Sequence, residues 1–176
     1  MSGEDRPGLC FDAYASNYDD AINSGLSVSG ENREYFARMR VEWLARSLKR
    51  LGEKPATAID FGCGVGSAAP FLLDCLGLES YWGIDTSAES IVVARESSSD
   101  ARACFYEFHD FKSDGTADLV FCNGVFHHIP VSERPGAVDY ILSSLKPGGL
   151  FAFWDNNPWN PGTQYVMSRI PFDRDA

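Results

Sequence analysis

Two acidic side chains and a run of glycines are the residues with the clearest chemical meaning in this sequence. Asp60 ends a short apolar segment, and Gly62, Gly64 and Gly66 follow it at alternate positions. Glycines in a turn let the backbone approach a ligand closely because they carry no Cβ atom. Asp85 ends the next apolar segment, where an acid can accept hydrogen bonds from both hydroxyls of a ribose. These positions predict a nucleotide or nucleoside site.

The charges at this site narrow the kind of ligand. The dinucleotide fingerprint G-x-G-x-x-G requires a third glycine where this chain has Ser67. A carboxylate at Asp60 would repel a pyrophosphate seated on the following helix N-terminus. Together with Asp85, it favours a nucleoside that carries an amine and a positive centre. Two alternatives are a tight turn without a ligand and, disfavoured by these acids, a nicotinamide-dependent oxidoreductase.

Alternating strand and helix patterns surround these residues. Short apolar runs predict strands, and amphipathic or capped segments predict the helices between them. This alternation predicts an α/β domain with a mainly parallel sheet and helices on both faces, although the segment 111–117 is too short for a full helix. The predicted strands are Thr57–Phe61, Ser80–Ile84, Ala103–Phe108, Asp118–Cys122 and Leu150–Trp154, and the predicted helices between them are Ser67–Leu76, Thr86–Ser97 and Glu133–Leu145.

One domain is expected for a chain of 176 residues. Its predicted parts are an N-terminal helical cap over residues 11–51, a ligand-binding core over 55–155 and a tail over 156–176. The spacing of apolar residues predicts a long amphipathic helix from Glu31 to Leu51 at the end of the cap.

Composition argues against several kinds of partner. The net charge of −10 disfavours nucleic acid, no apolar run approaches the roughly 20 residues that span a bilayer, and the N terminus lacks a secretory-signal pattern. No metal site is expected. Five cysteines without a Cys-x-x-Cys pair are interpreted as reduced, core-filling thiols of a cytoplasmic protein. They are Cys10, Cys63, Cys75, Cys104 and Cys122, of which the second, fourth and fifth fall in predicted buried strands or at their ends.

Four segments resemble the successive motifs of a known family. They are Asp60–Gly66, Gly83–Ser87, Asp118–Ile129 and Leu145–Gly149. Over about residues 11–155 the chain is similar to class I S-adenosylmethionine-dependent methyltransferases. The resemblance implies a Rossmann-like doubly wound sheet with strand order 3-2-1-4-5. It also implies S-adenosylmethionine as the methyl donor and S-adenosylhomocysteine as the product.

The resemblance implies a role for each matching position. The glycine turn would lie under the methionine part and the ribose, with Asp60 at the amino-acid end and Asp85 at the ribose hydroxyls. Thr86 and either Asp110 or His109 would contact the adenine, although Asp85 or Thr86 could instead cap the next helix. The implied cofactor contacts are Tyr14, Tyr18, Asp60, Gly62, Cys63, Gly64, Gly66, Asp85, Thr86, Asp110, Asn123 and Phe126.

Residues near the implied methyl group bear on the acceptor, which is expected to be a small molecule. Asn123 would face the sulfonium, unless it belongs to an ordinary turn, and Tyr14 or Tyr18 would cover the cofactor carboxylate. His127 and His128 are candidates for a general base toward a hydroxyl, amine or acidic carbon. Adjacent residues on a helix point about 100° apart, so at most one of them faces the site. Alternatively, one or both of them only bridge backbone carbonyls.

Members of this family usually continue into two further strands beside strand five. The sequence stops at Ala176 without them, so the fold is expected to lack those strands and the tail to be truncated. Strand five would then be an edge, covered by the tail or by a partner chain, for example in a homo-oligomer. The leading hypothesis is a methyltransferase for a small molecule. The alternatives are a non-catalytic S-adenosylmethionine-binding or interaction module and an NAD(P)-dependent oxidoreductase.

Overall fold

The structure, a computed structural model, describes residues 33–157 and 159–168. Within these ranges all neighbouring strands pair in parallel, in the order β3-β2-β1-β4-β5. The predicted fold class and strand order are therefore confirmed. The strands are β1 (Thr57–Phe61), β2 (Ser80–Asp85), β3 (Ala103–Glu107), β4 (Ala117–Asn123) and β5 (Leu145–Trp154).

Helices cover both faces of the sheet, as predicted. Three of them pack on one face and one on the other, and a short helix follows the last strand. The segment from β3 to β4 contains turns and no helix, as its length predicted. The helices are α1 (Arg33–Leu51), α2 (Ala69–Leu76), α3 (Ala88–Ser97), α4 (Arg134–Ser144) and α5 (Pro161–Met167), and a 3-10 turn spans Phe126–His128.

Two apolar clusters hold these layers together, one on each face of the sheet. Both consist mainly of side chains that are almost fully buried, and each such side chain stabilises the fold by about 1.5–3 kcal/mol through burial. The cluster under α1, α2 and α3 includes Val41, Leu72, Tyr81, Ile91 and Phe121, and the cluster under α4 includes Ile59, Ile84, Val120 and Ile141.

The boundaries differ from prediction at two places near the glycine-rich segments. β5 begins at Leu145 rather than Leu150, because Leu145 pairs with Ala117 and the register then shifts before Leu119. α2 begins at Ala69 rather than Ser67. The residues up to Ala68 instead extend the turn, with the N–H of Ala69 donating to the carbonyl of Gly66 at 3.0 Å.

Asp118 fastens β4 to the start of β1 at the amino end of the sheet. One of its carboxylate oxygens accepts from the N–H groups of Ala56 and Thr57, both at 2.8 Å, and from the Thr57 hydroxyl at 3.1 Å. The other oxygen pairs with Lys146. Burial acts to raise the pKa of Asp118, but Lys146 and these donors outweigh it and hold the pKa at about 2, below the ordinary value of 3.8.

Protonation of Asp118 should weaken the fold in acid. Because its pKa is lower in the folded than in the unfolded chain, its contribution is complete above about pH 4 and is lost as pH falls toward 2. With solvent screening it is on the order of 1 kcal/mol. Urea unfolding at several pH values should show that Asp118→Asn destabilises the protein near pH 7 and much less near pH 2.5. The exposed Asp139, changed to asparagine, is the control, and a pH-independent difference for Asp118→Asn would contradict this role.

Candidate functional site

The glycine turn after β1 is tied to the end of β2. The N–H groups of Gly62 and Cys63 donate to the carbonyl of Ile84 at 2.8 and 3.1 Å. Gly62 has a φ of +75°, and an added Cβ would collide with the side chain of Val125, so a larger residue is excluded there. The turn therefore forms a fixed backbone surface at the carboxyl edge of the parallel sheet, where ligands of such folds bind.

Asp85 connects this turn to the start of α3. Its Oδ2 accepts from the N–H of Gly64 at 2.8 Å, and its Oδ1 accepts from the N–H of Ser87 at 2.9 Å. Ser87, rather than Asp85 or Thr86, is the N-cap of α3, since its hydroxyl accepts from the N–H of Ser90 at 3.1 Å. The alternative in which Asp85 or Thr86 caps the helix is therefore wrong, and Thr86 is exposed.

Asp60 lies within β1, as the predicted strand Thr57–Phe61 implies, and not in the glycine turn. It pairs with Gly83 on one side and with Phe121 on the other, which keeps it in the strand. Its side chain is buried, with 3% of the residue exposed, and accepts a hydrogen bond from the Tyr81 hydroxyl at 2.8 Å. Its carboxyl group therefore lies behind the turn and acts on the site mainly through its charge.

Two of the implied cofactor contacts, Cys63 and Gly66, are buried against the core. The thiol of Cys63 is buried in the cluster beneath α1, α2 and α3. Gly66 is also buried, and a Cβ there would lie 2.9 Å from the ring of Phe105. A contact of either position with a ligand would therefore be made by its backbone. Among the other thiols, Cys122 is buried as predicted, whereas Cys104 is exposed because β3 is an edge strand.

The carboxylates at this edge impose a negative field. Burial raises the pKa of Cys63, and Asp60 and Asp85 raise it further. Burial likewise raises the pKa of Cys122, with added effects of Asp60 and Asp155. Asp60 acts on both thiols, and Asp85 and Asp155 each act on one of them, so three carboxylates oppose a further negative charge near this edge and favour a positively charged ligand.

The other predicted contacts lie around the same edge. Asn123 is the last residue of β4 and is opposite Trp154 in β5. Phe126 packs against Phe61 and Phe153, with ring centroids 6.4 and 5.2 Å apart. Asp110 and His109 are both exposed in the turn after β3. Tyr14 and Tyr18 lie outside the described residues.

His127 forms a close pair with a residue that the sequence interpretation did not include. Its Nδ1 lies 2.5 Å from Oδ1 of Asp155, and its backbone N–H donates to Oδ2 of the same carboxylate at 3.1 Å. Nε2 lies 3.4 Å from the Asn156 amide nitrogen. The rings of His127 and His128 are 3.9 Å apart between centroids. The alternative in which His127 only bridges backbone carbonyls is therefore wrong.

Three residues of the site were missed by the sequence interpretation: Tyr81, Asp155 and Asn156. Asp155 had a detectable signal, since it directly follows the last residue of β5 at the carboxyl edge of the sheet. Its burial acts to raise its pKa, but hydrogen bonds from His127 and Asn156 outweigh this and lower the pKa below the ordinary value. Tyr81 had no such signal, because an aromatic residue inside a strand is usually a core residue.

The same part of the chain has two further properties that bear on function. No group of three or more metal-binding side chains occurs in residues 33–157 and 159–168. None of the helices described above combines the length and the apolar character needed to cross a bilayer.

Comparisons with known proteins agree with this geometry. A family model for the methyltransferase domain matches residues 59–151. Among curated proteins, trans-aconitate 2-methyltransferase of Azoarcus sp. is 25% identical over 116 residues, which are 66% of this chain and 45% of that protein. The enzyme of that name from Enterobacter sp. is 27% identical over 116 residues, which are 66% of this chain and 45% of that protein. The chain spans less than half the length of the curated relatives it matches.

Solved structures share the fold. The plantazolicin methyltransferase BpumL, in complex with a monoazolic desmethylPZN analog and SAH, has a TM-score of 0.65 and 16% identity over 95% of this chain and 68% of its own. The sugar N-methyltransferase KedS8 from Streptoalloteichus sp. has a TM-score of 0.55 and 21% identity over 70% of this chain and 49% of its own. Since the family model covers more than half of the 176 residues and includes the glycine turn and Asp85, the chain belongs to the methyltransferase-domain family of class I S-adenosylmethionine-dependent enzymes.

Proposed function

We propose that the chain binds S-adenosylmethionine at the carboxyl edge of its sheet and transfers the methyl group to a small molecule. The observation that carries this proposal is the set of carboxylates around the glycine turn. Asp60 precedes the turn by two residues, Asp85 bonds to Gly64 within it, and Asp155 follows β5 at the same edge of the sheet, whereas the ligand would bring a sulfonium and an ammonium. A nucleoside with these two positive charges is complementary to this edge, whereas a pyrophosphate is not.

The residues present fit such a ligand in their hydrogen-bonding groups as well as in their charge. Asp85 would hold the ribose hydroxyls, and its bonds to Gly64 and Ser87 fix its carboxylate beside the turn. The turn from Gly62 to Gly64 would lie under the methionine part, because glycines let the backbone approach a ligand closely. Thr86, Asp110, Asn123 and Phe126 would line the remainder. S-adenosylmethionine supplies an electrophilic methyl group when bound, so no protein nucleophile is needed.

The comparisons support the same reading. The solved neighbour BpumL was crystallised with SAH, the abbreviation of S-adenosylhomocysteine. The names of the curated relatives and of KedS8 describe a small acid and a sugar as acceptors of those proteins. A small-molecule acceptor for this chain is proposed from these relatives, because the chain covers only part of each of them.

A non-catalytic binding module is the second candidate. It would bind the same adenosyl ligand without transferring its methyl group. An oxidoreductase that uses NAD is disfavoured by the charges of Asp60 and Asp85, which would repel the phosphates of that ligand.

Calorimetric titration with S-adenosylmethionine, S-adenosylhomocysteine and NAD tests the proposal. We expect saturable binding of the two adenosyl ligands and none of NAD. Binding of NAD without any response to the adenosyl ligands would overturn it. If the adenosyl ligands bind, a labelled-methyl transfer screen over small acceptors separates the enzyme from the binding module.

We also propose a cytoplasmic location and a homo-oligomer. A cytoplasmic location is supported by Cys63 and Cys122, which are buried free thiols. A homo-oligomer through β5 is supported by its position at the end of the strand order, where it pairs with β4 alone among the described strands. Sedimentation velocity over a range of concentrations distinguishes monomer from oligomer.

A further inference from the structure

The turn after β4 holds a histidine whose two ring nitrogens have different environments. Nδ1 of His127 contacts the carboxylate of Asp155, which follows β5. The two side chains are equally shielded, each with 13% of its surface exposed. Their contact is fixed at both ends, because the backbone N–H of His127 also donates to Asp155 and the N–H of Asn156 donates to the same carboxylate at 2.7 Å. The ring is therefore held in one orientation.

These contacts select the tautomer of the neutral imidazole. A carboxylate can only accept, so Nδ1 must carry the hydrogen that Asp155 receives. Nε2 then has a lone pair, consistent with the Asn156 amide nitrogen at 3.4 Å as a donor to it. An imidazole with one nitrogen bound to a carboxylate and a lone pair on the other is arranged as a proton acceptor.

The groups that surround His127 all lie at the carboxyl edge. Asp155 approaches His127 from the end of β5. The ring of His128, in the same 3-10 turn, lies tilted against the ring of His127. The thiol of Cys122, near the end of β4, is buried, and after burial and Asp60 the charge of Asp155 also raises its pKa. Across β1, Asp85 and the glycine turn form the adjacent part of the edge. The histidine thus borders the place where the methyl donor would lie.

The charges around this edge bear on the methyl acceptor. Four described segments follow the carboxyl ends of β1, β2, β4 and β5. The first three run to the next helix and the fourth runs to residue 157, and none of the four contains a lysine or an arginine. Lys112, in the turn after β3, is accompanied there by Asp110 and Asp114. Recognition of a polycarboxylate normally requires arginine or lysine partners, and the first guanidinium after the β4 segment, that of Arg134 at the start of α4, donates to the carbonyl of Ile129.

We propose that Nε2 of His127, positioned by Asp155, is the proton acceptor for a hydroxyl or amine group of the substrate, so that the methyl-accepting atom is not a carboxylate oxygen. This inference rests on the proposed methyl transfer. A carboxylate is already deprotonated near pH 7 and has no need of a base, whereas a hydroxyl or ammonium group must lose a proton to become a good nucleophile. The acceptor class therefore differs from the small acid named for the curated relatives.

The proposed step balances in atoms and charge. The O–H or N–H bond of the acceptor breaks, and its proton goes to the Nε2 lone pair of His127 to give an imidazolium next to Asp155. The electron pair left on the acceptor forms the new bond to carbon, while the pair of the carbon–sulfur bond stays on sulfur as a neutral thioether. His127 returns its proton to solvent afterwards. Asn156 must move its amide from Nε2 to admit the acceptor.

Nitrogen NMR of the protein with ¹⁵N-labelled histidine tests the base without any acceptor. The chain has three histidines, so replacement of each one in turn assigns the signals. We expect neutral His127 to carry its hydrogen on Nδ1, with Nε2 unprotonated, and Asp155→Ala to abolish this preference. A neutral His127 with its hydrogen on Nε2, or no response to Asp155→Ala, would overturn the assignment.

Labelled-methyl transfer tests the acceptor class. The probes are 4-nitrophenol, tyramine and trans-aconitate, with S-adenosylmethionine as donor. We expect transfer to the phenol or the amine, a fall in kcat of about 10²–10⁴-fold in His127→Ala, and unchanged affinity for the adenosyl ligand. Transfer to trans-aconitate alone, transfer to none of the probes, undiminished transfer in His127→Ala, or a greater loss in His128→Ala would each contradict the proposal.

The role of Asp155 has its own readout. For the wild type, kcat should fall at acid pH as His127 takes up a proton. Loss of the carboxylate in Asp155→Ala removes a charge that favours the imidazolium, so the acid limb of the profile should move to lower pH as kcat drops. A lower kcat with no movement of the limb would indicate a structural role only. If only the roles of His127 and Asp155 were wrong, calorimetry would still detect binding of the adenosyl ligands. If the proposed function were wrong, calorimetry would detect no such binding.

Discussion

Asp85→Ala should weaken binding of S-adenosylmethionine by about 3 kcal/mol, a roughly 100-fold increase in Kd. Two charge-assisted hydrogen bonds to the ribose would be lost, each worth about 1.5–3 kcal/mol. The carboxylate also accepts from Gly64 and Ser87, so the glycine turn would lose its tie to α3 at the same time. Calorimetric titration measures the affinity, and thermal unfolding without ligand measures the accompanying loss of stability.

A matched control separates these contacts from the general effect of charge. Glu96→Gln removes one negative charge from an exposed position on α3, away from the turn. It should leave the affinity close to that of the wild type, because exposed charges at a distance are screened. Unchanged affinity in Asp85→Ala would remove Asp85 from the site, and equal losses in both variants would reduce its role to net charge.

Gly66→Ala should destabilise the fold by about 2–5 kcal/mol. The residue has a φ of +77°, which costs about 1–2 kcal/mol for a residue with a Cβ. The new Cβ would lie 2.9 Å from the ring of Phe105 and 3.2 Å from the Cβ of Ala94, and overpacking of this kind costs a further 1–3 kcal/mol or so. Urea unfolding gives the difference in the free energy of unfolding.

Gly77→Ala is the control for backbone strain. Gly77 caps α2 with a φ of +65°, and an added Cβ there meets nothing within 4 Å. We expect a loss of about 1–2 kcal/mol, due to strain alone. The effect of Gly66→Ala should also shrink in a Phe105→Leu background, as a double-mutant cycle would reveal. Equal losses at Gly66 and Gly77, with no coupling to Phe105, would disprove the steric explanation.

Helix and strand positions followed from local patterns to a large extent. The apolar run of β1 and the glycines after it define a strand and a turn by their own chemistry, so these elements agree with prediction at Thr57–Phe61. The start of β5 did not agree with prediction. The pairing of Leu145 with Ala117 depends on β4 and could not be inferred from the residues Lys146 to Gly149. Boundaries depend on a neighbouring strand wherever the local residues permit more than one conformation.

The sequence by itself determined the sheet, the glycine turn and the two acids that suit a positively charged nucleoside, because strand, turn and helix patterns are local. Only the tertiary structure decided what each acid contacts. Asp85 meets Gly64, 21 residues away, and His127 meets Asp155, 28 residues away. The register that sets Asn123 opposite Trp154 brings the turn after β4 next to the residue that follows β5. Since strand register is fixed by packing between distant segments, the choice of His127 as the oriented histidine could not be made from its neighbours in the chain.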